Sequence, residues 1–263
     1  MIARLGKGDE KAFRALLAGE RCTGARIAAA LDAWGLEAKG CAFYRVDDTG
    51  ALLVQGASAL LCGAADDTAE LEAFLAACGA KSFLSERVFL DGWRALPRLL
   101  MGRRAERADG QETPPLPAGC ETRPDLWALA HSGLIGAEPD AYYADVRRKV
   151  NAKRAAVWAV RGADGAYIAT AGAYALTGTD AYLSAVATRA DMRGRGLASA
   201  LVDGLCAALA PRRIYLLCAT GMRAFYEKRG FSLVTPICEF VPPDASQGVL
   251  KYENITNSIN LTE

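Results

Sequence analysis

Two periodicities alternate along the chain. Tyr143, Val146 and Val150 recur at helical spacing within Asp140–Arg154 and predict a helix there. Ala155–Val160 and Ala166–Leu176 are strand-like apolar runs, and Asp164-Gly165 between them is a hairpin signal. Ala181–Thr188 reads as a third strand. Leu197–Ala210 follows as a helix whose residues 197, 201, 202, 205 and 209 make one apolar face. Ile214–Cys218 is continuously apolar and predicts a buried strand, and Met222–Arg229 is a short helix that Gly230 closes. Phe231–Phe240 carries the last strand, in which Pro236 marks an edge or a bulge. Hairpins together with crossovers imply a mixed sheet, antiparallel on one side and parallel on the other.

The first hundred residues repeat this succession. Helices are expected at Asp9–Leu17 and Thr23–Trp34. Strands follow at Cys41–Val46 and Ala51–Gln55 around a turn at Asp47–Gly50, then at Ala57–Cys62. A helix at Asp67–Cys78 and a strand at Ser82–Leu84 complete the order. Between the halves, Met101–Gly119 holds three Pro, three Gly and alternating charges, the composition of a linker. The expected organisation is a lobe over 1–100, a linker over 101–119 and a second domain over 120–263 that ends in a tail.

Composition narrows the function classes. In 263 residues the hydrophobic share is 52% and the charged share 23%, enough apolar surface for a core and unlike a disordered chain or a coiled coil. The net charge of +1 offers no field for a nucleic-acid backbone. Asp9 and Glu10 interrupt the N-terminal segment where a signal peptide needs its apolar region, and no apolar window is long enough to span a bilayer. The eight Cys stand apart from one another and the chain has one His, His131, so no metal site is expected. The cysteines read as small buried hydrophobes of a reducing cytoplasm.

Chemistry concentrates in Arg193-Gly194-Arg195-Gly196-Leu197-Ala198, a glycine-rich turn that opens a helix. Free backbone N–H groups and the positive end of the helix dipole suit a phosphate there, although a tight strand-to-helix connection needs the same glycines. Ser199 stands where a dinucleotide fingerprint has its third Gly, and no Gly-Lys-Ser/Thr follows as in a nucleotide P-loop.

About thirty residues further on stands Ala224–Phe231, AFYEKRGF. Together with Ser184–Leu205 it resembles the GNAT superfamily of acyl-CoA-dependent N-acetyltransferases, with its R-G-x-G-x-A turn and F-Y-E-K-x-G-F segment in the family's order. The resemblance covers roughly Cys120 to Phe240. It implies an α/β (α+β) fold with a mixed, centrally splayed sheet flanked by helices, here preceded by a smaller lobe of similar topology. It implies acetyl transfer from acetyl-CoA to a primary amine by direct attack. In the family the turn matching Arg193, Gly194, Arg195, Gly196, Leu197 and Ala198 holds the coenzyme A pyrophosphate. The strand matching Val186, Ala187 and Thr188 pairs with the pantetheine arm. Tyr226 matches the tyrosine that protonates the leaving thiolate, while a tyrosine packed against the sheet would have the same spacing. The implied partner is a small-molecule or peptide amine, with no metal, nucleic acid or membrane.

A general base is harder to locate. An alkyl ammonium of pKa about 10.4 costs roughly 4.6 kcal/mol to neutralise at pH 7. The strands Ala155–Val160, Ala166–Leu176 and Ala181–Thr188 contain no Asp or Glu. Tyr174 or Ser184 holding a water, Asp180 and Glu239 are the candidates, while His131 reads as a surface or capping residue. The missing carboxylate keeps open the alternative of a non-catalytic acyl-CoA-binding or sensing module. In the first lobe the counterpart of the phosphate turn contains Asp66 and Asp67, which suit a helix cap and would repel a pyrophosphate.

Overall fold

The computed structural model describes residues 1–104 and 115–243, apart from the side chain of Arg21. The chain divides into two compact units, and among the described residues it crosses between them between Arg98 and Leu99 and between Thr235 and Pro236.

The first unit opens with β1 (Ile2–Arg4), α1 (Glu10–Leu16) and α2 (Arg21–Trp34). It continues through β2 (Cys41–Val46), β3 (Gly50–Gln55), β4 (Ser58–Cys62), α3 (Thr68–Ala77) and β5 (Ser82–Ser85). β2, β3 and β4 form antiparallel pairs, and β4 then runs parallel to β5. The helix α3 makes the crossover that a parallel pair requires. Asp67 accepts the backbone N–H of Glu70 at 2.9 Å and so caps α3. The core is built on Leu52, Leu61, Leu71, Leu75, Phe83 and Phe240.

β6 (Arg94–Arg104) carries the chain into the second unit. There β7 (Cys120–Glu121), α4 (Leu126–Ala130), α5 (Pro139–Asn151), β8 (Ala156–Arg161), β9 (Tyr167–Leu176) and β10 (Asp180–Thr188) follow. α6 (Leu197–Ala208), β11 (Arg213–Cys218), α7 (Arg223–Glu227) and β12 (Ser232–Val241) complete the fold. β8, β9 and β10 pair antiparallel, β10 runs parallel to β11, and β11 pairs antiparallel with Leu99–Arg104 of β6. The order of hairpin, strand, crossover helix and parallel strand is that of β2 to β5. Leu201, Val202 and Leu205 of α6 pack with Leu183, Ile214 and Leu216 on one face of this sheet. On the other face α4 and α5 bring Leu129 and Val146 against Val157, Ala159 and Ala187.

Three expectations need correction. The domain boundary does not start at Met101, because Leu99, Leu100 and Met101 are buried in β6 and the crossing comes after Arg98. Of the expected linker, residues 105–114 lie outside the described residues. The division into 1–100 and 120–263 also gives way, since Pro236 and the residues after it in β12 belong to the first unit. β12 lies between β5 and β6 in the strand order and pairs Glu239 and Phe240 with Leu84 and Phe83 of β5. Pro236 therefore does not mark a sheet edge. Finally, the helix expected to reach Arg154 ends at Asn151, and Lys153 adopts φ +58°.

The first unit contains a buried polar knot. Glu20 accepts the backbone N–H of Gly63 at 3.0 Å and the Thr23 hydroxyl at 2.6 Å, and it pairs with Arg87 at 3.0 Å. Gly63 has φ +94°, and a Cβ there would meet the Thr49 carbonyl oxygen at 2.1 Å, so the position tolerates glycine alone. Replacing Glu20 with Ala removes the acceptor of the part-buried Gly63 N–H and one of two acceptors of the Thr23 hydroxyl, which keeps Glu86 at 3.2 Å. We expect a loss of about 1–3 kcal/mol in the stability of this unit, read as a lowered denaturant midpoint. An unchanged midpoint would mean that the knot contributes nothing net.

Among the described residues no helix is long and apolar enough to cross a membrane, and no group of three or more His, Cys, Asp or Glu could hold a metal ion. None of the eight cysteines forms a disulfide. Burial pushes the thiols of Cys22, Cys62 and Cys206 up to about 12, which keeps them protonated and unreactive.

Candidate active site

The site is built on the C-terminal half of β10. This strand pairs with β9 from end to end, but its parallel ladder with β11 covers only Asp180↔Arg213 to Leu183↔Leu216. β10 runs on to Thr188 and β11 to Cys218, so the two strands part company after Leu183. Where the ladder ends, β10 also bulges. Ser184 opposes Gly172 and Ala187 opposes Thr170, which leaves Ala185 and Val186 facing Ala171 alone. Ala185 takes φ +50°, a left-handed conformation that costs a residue with a Cβ roughly 1–3 kcal/mol. The bulge therefore frees backbone polar groups, and the edge of Val186, Ala187 and Thr188 turned from β9 resembles the open strand edges that accept an extended ligand. The Thr188 hydroxyl is buried and has no hydrogen-bond partner.

β10 leads directly into the glycine-rich turn. After a 3-10 turn at Ala190–Met192, Gly194 has φ +74° and Gly196 has φ +76°. Both angles are open to glycine and unfavourable for other residues, which explains the spacing of the motif. Gly196 is the N-cap of α6 and makes no side-chain cap bond, whereas α3, α4 and α5 are capped by Asp67, Asp125 and Glu138. The first-turn N–H groups of α6 are thus left for a ligand. Gly194, Arg195 and Gly196 are exposed, and the Arg193 guanidinium donates to the Thr188 carbonyl at 3.4 Å.

Tyr226 comes from α7. Its ring is buried between Phe225 and Phe231, with centroids at 5.0 and 5.7 Å, in the cluster that contains Val186, Leu216 and Cys218. Burial pushes the phenol well above its ordinary range, and the Cys218 thiol and Tyr182 hydroxyl add to the shift. Val186 and Cys218 of that cluster lie on β10 and β11 beyond the end of their ladder, so Tyr226 stands at the parting of the two strands.

Arg229 escaped the sequence reading. Its guanidinium lies over the Phe225 ring at 3.7 Å, donates to the Phe225 carbonyl at 2.5 Å and hydrogen-bonds the Ser199 hydroxyl in the first turn of α6. It ties the helix of Tyr226 to the helix of the glycine turn. The arginine in FYEKRGF gave no signal of this, because its partner is thirty residues away.

The base candidates separate. Asp180 lies at the far end of β10 from the bulge, ion-paired to Arg213 at 2.8 Å. Glu239 belongs to the first unit and pairs with Arg98 at 3.1 Å. Ser184 and Tyr174 remain beside the bulge, the Tyr174 hydroxyl 2.7 Å from that of Tyr142. His131 caps α4, with Nδ1 2.9 Å from the Trp127 carbonyl and its ring on Trp127.

Residues 123–231 match the family model of the acetyltransferase (GNAT) family. Similar solved structures include a tandem GNAT protein from the clavulanic acid biosynthesis pathway, 14% identical, which aligns over 94% of this chain and 99% of its own with a TM-score of 0.59. A Drosophila protein aligns over 93% and 99% at 15% identity with a TM-score of 0.62. A GCN5-related N-acetyltransferase from Sphaerobacter thermophilus aligns over 94% and 98%, also at 15% identity, with a TM-score of 0.56. At these identities the likeness is one of fold, and it extends over both units. No curated protein matches the chain by sequence.

Proposed function

Since residues 123–231 form a GNAT acetyltransferase-family domain, we propose that the second unit is an acetyl-CoA-dependent N-acetyltransferase acting on a primary amine. The observation that carries this reading is one continuous feature. The ladder between β10 and β11 ends at Leu183, a bulge follows at Ala185, and the freed edge runs into an uncapped helix start.

That surface suits coenzyme A group by group. The backbone of Val186, Ala187 and Thr188 would hold the pantetheine amides, and the unmet Thr188 hydroxyl marks a polar demand there. Gly194, Gly196, Leu197 and Ala198 would offer N–H groups to the pyrophosphate, with Arg193 and Arg195 adding charge. Bound there, acetyl-CoA supplies a thioester carbonyl for the amine to attack. A backbone N–H freed by the bulge would stabilise the oxyanion. Tyr226 would donate its proton toward the leaving sulfur. A phenol of reference pKa about 10 against a thiol of about 8.5 makes full transfer uphill by roughly 2 kcal/mol. Burial raises the acid and the thiolate alike, so the difference persists, and a positioned hydrogen bond can offset much of it.

The first unit is read as a lobe of the same topology that binds no coenzyme A. Its parallel pair β4 and β5 stays laddered to Leu61↔Ser85, and the Gly63 N–H is taken by the Glu20 carboxylate. Cysteines that form no disulfide suit a reducing cytoplasm.

Purified protein is expected to release free thiol from acetyl-CoA when mixed with a panel of primary amines, and to bind coenzyme A by calorimetry. Absence of both results would sink the proposal. The ion pairing of Asp180 and Glu239 favours a second reading, an acyl-CoA-binding module without turnover. That reading requires binding without thiol release on any amine.

A further inference from the structure

Tyr174 sits where two irregularities of the sheet meet. Along the β9–β10 ladder Tyr182 opposes Ala175 and Leu183 opposes Ala173, so Tyr174 is the residue the register skips. Its ring folds back along its own strand over Gly172, where a Cβ would lie 2.7 to 2.9 Å from the ring and hydroxyl. Gly172 is the ladder partner of Ser184, the residue before Ala185. The Tyr174 hydroxyl is thus placed over the backbone at the bulge, and it bonds the Tyr142 hydroxyl of α5 at 2.7 Å. Tyr142, Tyr174, Ser184 and Ala185 are all partly exposed.

We infer that the Tyr174–Tyr142 hydroxyl pair is the proton exit of the acetyl-transfer site, carrying the proton lost by the acceptor ammonium to solvent. This rests on the acetyltransferase reading above. The acceptor N–H proton passes to Tyr174 Oη as the Tyr174 hydroxyl proton passes to Tyr142 Oη, and the Tyr142 proton leaves to water. One proton enters, one leaves, and both phenols end neutral. Neither phenol can serve as a standing base, because burial raises both and the Asp145 carboxylate adds to the effect. A relay through neutral hydroxyls avoids a tyrosinate altogether. The charged groups facing the pair are Asp145 and Lys149 of α5, bonded to each other at 2.7 Å. The relay supplies what the paired carboxylates of Asp180 and Glu239 do not.

The test compares wild type, Tyr174→Phe and Tyr142→Phe on two kinds of acceptor at pH 7. These are aliphatic primary amines, which arrive as ammonium ions, and O-methylhydroxylamine, which arrives neutral. Each variant should lower kcat for the aliphatic amines by on the order of tenfold or more. Each should leave KM for acetyl-CoA and the rate with O-methylhydroxylamine within about twofold, on the same argument that only proton removal is lost. Equal losses with both acceptors would make the tyrosines structural and overturn the relay, as would no loss in either variant. If wild type turns over no amine, the relay falls too. Coenzyme A binding then tells whether the acetyltransferase reading falls entirely or keeps its cofactor half.

Discussion

Tyr226→Phe should reduce turnover by about a hundredfold while leaving coenzyme A affinity within about twofold of wild type, the scale of losing one positioned acid. The variant keeps the ring that packs on Phe225 and Phe231 and deletes only the hydroxyl at the parting of β10 and β11. Folding should therefore be nearly unaffected, and the loss should appear in kcat with acetyl-CoA. The pH dependence has a definite sign. Burial holds the phenol above its ordinary pKa, so the acid form persists as pH rises, and the rate should show no alkaline limb from Tyr226 below about pH 10. For stability the same shift acts oppositely. Above the unfolded pKa of about 10 the folded state keeps a proton that the unfolded state has lost, so this group lowers stability as pH climbs toward the folded pKa. Thiol release followed from pH 6 to 10 in both proteins checks the first statement, and denaturant midpoints compared above pH 10 check the second. Equal rates would remove Tyr226 from the chemistry.

What the sequence could and could not announce follows from where each signal resides. Asp164-Gly165 declared its hairpin because a left-handed residue at that turn demands glycine, and Gly165 indeed has φ +78°. The Gly194 and Gly196 spacing was legible for the same reason. Ala185 has the same backbone sign and carried no such signal, since an alanine states no preference for it and the bulge is imposed by the ladder with β9. Met101 to Arg104 of β6 reads as the start of a linker because Gly102, Arg103 and Arg104 conceal the apolar pattern that Leu99 to Met101 carry. Its strand identity depends on pairing with Leu216 and Leu217, more than a hundred residues on. Glu20 carries no local signal of its role, since its partner Gly63 lies in a turn that local pattern cannot connect to it. The site was thus readable wherever a local backbone demand fixed a residue type. It was hidden wherever a distant neighbour did, as with Ser199 and Arg229 or Tyr142 and Tyr174.

The second large effect belongs to Gly196. Gly196→Val places a β-branched residue at φ +76° with nothing within 4 Å of the new Cβ, so the whole cost is conformational. A left-handed residue with a Cβ costs about 1–2 kcal/mol, and a β-branched one sits at the upper end. The chain can pay that strain or rotate Gly196 out of the left-handed region. Rotation turns away the first-turn N–H groups of α6, on which the proposed pyrophosphate contact depends. Either way coenzyme A binding should weaken by on the order of tenfold to a hundredfold, the equivalent of about 1.4 to 2.7 kcal/mol. Gly165→Val separates this from general destabilisation. Gly165 has φ +78° and equally open space, but it lies in the β8–β9 hairpin. Both variants should lose comparable stability in denaturant, and only Gly196→Val should lose coenzyme A affinity by calorimetry. Equal affinity in the two variants would detach the glycine turn from the cofactor and leave it as a strand-to-helix connection.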